Sequence, residues 1–194
     1  GGASLPPFLS YHCKNVIINP SVLPEKYFSI GRQYVPRSDV LETDLFSTQQ
    51  STAVYCFSAS ADRETMNVQL RALIEAAKEF YESIGLPFRI VYDPAPALDL
   101  SESFRASIQM YSPPFDRFIT VGNVSAFEDY LSKRLMLKSE DANDRGVLSN
   151  QFHVAGTFAN VTRLVACSIE NTQTPTREYD MKDVSAKLRQ IMTA

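Results

Sequence analysis

Metal and disulfide chemistry find little support in this chain. Its 194 residues include three cysteines, Cys13, Cys56 and Cys167, an odd number with no C-x-x-C pair, and two histidines, His12 and His153. That set is too sparse for the common zinc sites and forms no disulfide framework, so reduced thiols and no bound metal are expected. Positive charge is not in excess either: 19 Lys and Arg face 22 Asp and Glu, a formal net charge of −3. A global field attracting nucleic acid is excluded, and an RNA partner would need a local patch or another subunit. No apolar run is long enough to cross a membrane as a helix, and no signal or transit peptide, internal repeat or low-complexity stretch is visible. What is present, 44% hydrophobic and 21% charged residues, fits one globular domain with a substantial core.

The clearest helix signal runs from Asp62 to Ile84. Met66, Leu70, Leu73, Ile74, Ala77, Phe80, Tyr81 and Ile84 form one apolar stripe, Asp62 is placed to cap it, and Gly85 with Pro87 to stop it. A strand is expected at Lys26–Val35 from its β-branched and aromatic content, with shorter ones at Ala106–Tyr111 and Arg117–Val121. Gln151–Gln173 begins as a strand, with Phe152, Val154 and Thr157 alternating against small residues. Gly156 interrupts it, as glycine does where another backbone or a ligand comes close. Asn160 then caps a helix whose inner face is Val161, Leu164, Val165, Ser168 and Ile169. Arg163 sits in its first turn, where a cation opposes the helix dipole, so an anion is expected to offset it. Gly1–His12 shows no regular signal, and Pro6-Pro7 is expected to break any helix there. Ser38–Asp44 reads as an acidic turn, Lys138–Asn150 as an exposed polar loop, and Asp180–Ile191 as a final helix.

Several of these stretches share a family pattern. The run from Gly156 to Asn171, GTFANVTRLVACSIEN, resembles motif 3 of class II aminoacyl-tRNA synthetases, in particular that of the seryl enzymes. Leu23-Pro24 followed by Lys26-Tyr27 and the returning Leu45-Phe46 strand are similar to motif 2. Ile84 to Val91, IGLPFRIV, is similar to the seryl L-G-L-P-Y-R-V-V. The resemblance spans about Gly2 to Met181 and implies an α+β fold, a class II aminoacyl-tRNA synthetase-like antiparallel sheet flanked by helices. It also implies that residues 1–194 are the C-terminal part of such a domain within a longer protein, without motif 1 or a tRNA-binding arm.

The catalytic set departs from that pattern. Where the family grips serine with a Thr and a Glu, this chain has Ala3 and Leu5; where motif 2 supplies Arg and Glu, it has Val35 and Arg37. The adenine-stacking Phe becomes Ser51, and a Glu that helps to bind Mg²⁺ becomes Thr120. Gly156 and Arg163 remain as vestigial positions of the nucleotide site, and an internal ion pair from Arg163 to Glu128 or Asp129 is favoured over a remnant nucleotide contact. The resemblance therefore implies a pseudoenzyme with no catalytic residue, cofactor or metal. It implies a mitochondrial matrix location and a heterodimer with the mitochondrial seryl-tRNA synthetase, reaching tRNA-Ser through that complex. The alternatives are a divergent active seryl-tRNA synthetase and a nucleic-acid-binding module reusing the fold.

Overall fold

The structure, a computed structural model, describes residues 2–14, 16–34, 45–141 and 146–173. The expectations placed on Val35, Arg37, Ser38–Asp44 and Asp180–Ile191 lie outside the described residues.

Six strands form one antiparallel sheet. Its order is β2 (Glu25–Tyr34), β3 (Gln50–Ser60), β9 (Phe152–Asn160), β6 (Arg117–Glu128), β5 (Phe104–Ser112) and β4 (Phe88–Tyr92). A smaller sheet, β1 (Val16–Ile17), β7 (Lys138–Glu140) and β8 (Leu148–Asn150), sits beside it. Four α-helices complete the described fold: α1 (Leu5–His12), α2 (Arg63–Ile84), α3 (Tyr130–Leu135) and α4 (Val161–Thr172).

Period-two alternation assigns the faces. On β3, Tyr55, Phe57 and Ala59 point to one side, where they meet Leu5 and Phe8 of α1, Leu131 of α3, and Phe127 and Ala155. The other side carries the main core, in which Ala77 and Tyr81 of α2 and Ala166 and Cys167 of α4 pack against Ile108, Met110 and Val121. Further along α2, Met66 meets Val124, Ala126 and Val154. Ile108 and Met66 are each 1% exposed, so truncating either to alanine would cost about 2–5 kcal/mol. Among the described residues, helices α2 and α4 thus back one face of the sheet, while α1 and α3 lie on one end of the other. The opposite end of that second face holds the site described below.

Helix α2 begins and ends where local chemistry dictates. Asp62 Oδ1 accepts from the Thr65 N–H at 2.7 Å, and Gly85 closes the helix at φ 72° with its N–H donating to Glu82 O at 3.0 Å. Three expectations are corrected. Pro6 and Pro7 do not prevent a helix: they lie in the first turn of α1, where a missing N–H breaks no intrahelical bond. Lys138–Asn150 is not simply a polar loop, because β7 pairs with both β1 and β8, and Ser139 and Gln151 are buried. The inward face of α4 keeps Leu164 and Ser168 of the expected set but is completed by Ala166, Cys167 and Glu170, while Val161 is 37% exposed. Buried Glu170 is satisfied by the Ser112 hydroxyl, which donates to it at 2.5 Å and draws a polar residue into the helix-sheet seam.

Candidate functional site

On the partly open face, a cleft of about 130 Å³ lies where β2, β3, β9 and β6 meet the start of α4. Gln33, Ser51, Thr120, Asn123, Thr157, Asn160 and Arg163 are among its lining residues. It is well below the roughly 300–1,000 Å³ usual for small-molecule sites.

Arg163 enters from the first turn of α4. Asn160 Oδ1 accepts the Arg163 backbone N–H at 3.1 Å, which caps the helix and orients that turn. The side chain does not reach either expected carboxylate. Glu128 is bound by Arg63 Nε at 2.7 Å and Asp129 by Lys133 Nζ at 2.8 Å. Instead Arg163 Nη1 donates to the Thr120 carbonyl at 2.6 Å, at the bulge where the β5–β6 register slips. A carbonyl dipole therefore takes the place of the anion that the helix terminus called for.

The other substituted positions are absorbed into the scaffold. Ser51 is 3% exposed and its hydroxyl accepts from Asn160 Nδ2 at 3.1 Å, so it braces the cap of α4. Ala3 is fully buried; its N–H donates to Arg32 O at 3.1 Å and its carbonyl accepts from Gln33 Nε2 at 2.7 Å. Gly2, at φ 119°, lets this pairing form, since a Cβ there would lie 1.9 Å from Arg32 O. Leu5 packs with the apolar cluster under α1 rather than facing the cleft. Gly156 is explained by its own backbone neighbour: a Cβ at this position would stand 2.0 Å from Asn123 O.

Sequence reasoning did not mark Gln33, Asn123 or Thr157 as site residues. They form a neutral chain across the cleft, in which Gln33 Nε2 donates to Thr157 Oγ1 at 3.1 Å. The Thr157 N–H in turn donates to Asn123 Oδ1 at 3.2 Å, and Asn123 Nδ2 to Ser125 Oγ at 3.2 Å. Strand parity puts Gln33 on the same side as Tyr27, which was a usable signal; nothing local marked Asn123. Among the described lining residues there is no carboxylate. A divalent cation, which takes carboxylate oxygens, would meet only amides, hydroxyls and the Arg163 guanidinium there, so these residues do not fit a magnesium–nucleotide. Behind the cleft, burial and the Glu170 charge push the Cys167 thiol up to about 12, leaving it unreactive.

Fold and site together define the class. A model of the tRNA synthetase class II core domain (G, H, P, S and T) matches residues 3–172, and the chain belongs to that family. Within it, the chain is 32% identical over 174 residues to the serine–tRNA synthetase-like protein Slimp of Drosophila melanogaster, covering 88% of this chain and 37% of that protein. It is 25% identical over 178 residues to a serine–tRNA ligase of Clostridium botulinum, covering 76% and 41%. It is thus a seryl-tRNA-synthetase-related paralogue that spans 37% and 41% of the length of these two curated relatives. The fold matches a cytoplasmic serine–tRNA ligase of Naegleria fowleri in complex with AMP, with TM-score 0.80, 20% identity, and 94% of this chain and 44% of that one covered. It also matches seryl-tRNA synthetase of Pyrococcus horikoshii complexed with ATP, with TM-score 0.77, 20% identity, and 87% and 38% covered.

Proposed function

We propose that this chain is the synthetase-like part of a non-catalytic subunit. It pairs with the mitochondrial seryl-tRNA synthetase in the matrix, has a structural or regulatory role there, and meets tRNA-Ser through that complex. The observation that supports this most is a cleft with no carboxylate among its described lining residues. Its one described guanidinium, Arg163, is hydrogen-bonded to Thr120 O, Gln33 is bonded to Thr157 and to Ala3 O, and Asn160 to Ser51. Amino-acid activation brings a carboxylate against the α-phosphate of ATP, and the barrier falls only when preorganised charge neutralises the charge that develops. One charge-assisted contact contributes about 1.5–3 kcal/mol, against the roughly 8–23 kcal/mol by which enzymes lower barriers. Ser51 offers no ring for adenine to stack on, and Ala3 and Leu5 offer a substrate no side-chain polar group.

A second reading, a divergent working ligase, is favoured by one observation: the clostridial relatives are named serine–tRNA ligases. Serine-dependent exchange of pyrophosphate into ATP separates the two. The expected result is no exchange above the serine-free background, together with co-purification of a complex whose mass is the sum of this subunit and the ligase. Exchange that requires serine and disappears in Arg163→Met would establish the second reading.

A further inference from the structure

Two buried histidines share one phenylalanine. His12, in the last turn of α1, and His153, on β9, both lie against the Phe57 ring of β3, each with ring centroids 5.5 Å from it. His153 is fully buried and His12 is 4% exposed. Neither ring nitrogen of His153 has a hydrogen-bond partner among the described residues, and His12 Nε2 has none either. A buried imidazole left in this way is destabilising even when neutral, and a protonated one carries two N–H donors with nothing to receive them. The surrounding groups offset little of this. Glu25 of β2 stands 3.8 Å from His12 Nδ1 and favours a charge on that ring. The Glu128 backbone near His153 counters only part of its burial. The Glu128 and Asp129 carboxylates are held by Arg63 and Lys133. The remaining titratable neighbours, Tyr11, Tyr27, Tyr55 and Tyr130, are phenols and carry no charge in acid.

Helix α1 is lightly held. It has eight residues and its Ser4 cap makes no side-chain hydrogen bond; a helix this short is not stable alone. Leu5, Phe8 and Leu9 pack it on the sheet, and backbone bonds tie its flanks, Ala3 N–H to Arg32 O at 3.1 Å and Lys14 N–H to Leu135 O at 3.0 Å. Ala3 O also accepts from Gln33 in the cleft. We propose that α1 is an acid-released latch: protons taken up by the His12–His153 pair lift it from the sheet, baring Phe57 and freeing Gln33 from Ala3. The direction follows from the packing. Water reaches both rings once α1 has lifted, so the open state binds more protons and acid favours it. The latch is independent of the pairing proposed above.

Amide hydrogen exchange of the 194-residue chain, followed by NMR and referred to the unstructured-chain rate at each pH, tests it. His153 is held down at about 4 in the closed chain, so its proton alone should cut the protection of the amides of residues 9–12 and of Lys14 by about 30-fold from pH 7.5 to pH 5. Amides along β3 and β9 should keep their protection. His153→Leu should abolish the fall. Glu25→Gln, at a half-buried position, should steepen it, because His12 then loses the carboxylate that tolerates its charge in the closed state. That variant decides the matter if His153→Leu does not fold. The proposal is overturned if α1 and β3 lose protection together with one pH profile, if the fall persists in His153→Leu, if Glu25→Gln leaves the slope unaltered, or if protection does not fall at all.

Discussion

Replacing Arg163 with methionine keeps the aliphatic stem and removes only the guanidinium. In the folded chain that group donates to the Thr120 carbonyl at 2.6 Å. A hydrogen bond from a charged donor is worth about 1.5–3 kcal/mol, and the lower end applies because Arg163 is only half-buried. Against this, taking a cation out of the first turn of a helix returns about 0.3–1 kcal/mol of dipole repulsion. The net expectation is a loss of about 1 kcal/mol, or a Tm lower by about 2–4 °C for a chain of this size. Urea and thermal unfolding of both proteins, with and without millimolar Mg-ATP, measure it. A ligand at a hundred times its Kd adds about 2.7 kcal/mol to stability, so nucleotide binding would be conspicuous. The structural role predicts a destabilised variant and a natural chain whose Tm ignores Mg-ATP. A variant as stable as the natural chain, together with an ATP-dependent rise in Tm that only the natural chain shows, would refute it and return Arg163 to the phosphates.

Four further outcomes follow from the same geometry. Gly156→Ala forces β6 and β9 apart to clear the 2.0 Å contact with Asn123 O and should lower stability by about 1–3 kcal/mol, read from the urea midpoint. Asp62→Ala removes the α2 cap and should cost about 1 kcal/mol at neutral pH. The Thr65 N–H holds the Asp62 carboxyl below its usual range, so that contribution is complete above the unfolded value near 3.9 and lost as pH falls through the lower folded one. The two proteins should therefore converge in stability in strong acid. His153 is held down at about 4, chiefly by burial and then by the His12 charge. The unfolded chain binds its proton near pH 6.5, so stability should fall from pH 6.5 to 4 by roughly 3 kcal/mol, and His153→Leu should flatten that slope in denaturant titrations across pH. His12, stacked on the same Phe57 ring, is shifted downward too, and its own slope has the same sign. Under a thiol reagent, mass spectrometry should find Cys13 modified in the native chain and Cys167 only after unfolding.

Local chemistry was legible in the chain itself. The ends of α2 and the Asn160 cap depend on residues within four positions of one another, so Asp62, Gly85 and Asn160 announced them without any knowledge of the fold. Alternation in β2 and β3 and the substitutions at Ala3, Leu5, Ser51 and Thr120 could likewise be read residue by residue. Local rules misjudged α1 because the penalty on proline vanishes in a first turn, and where that turn lies is set by the packing of Phe8 and Leu9 on the sheet. Competition was invisible as well. Glu128 and Asp129 were reasonable partners for Arg163 until the folded chain gave them to Arg63 and Lys133, and Thr120 O was identifiable only once a bulge had placed it beside α4. The chain by itself determined where α2 and α4 begin and which charges are missing, because capping and periodicity act over a few residues. Tertiary structure decided who holds Arg163 and why Gly156 is glycine, because each of these depends on atoms more than thirty residues apart competing for one place.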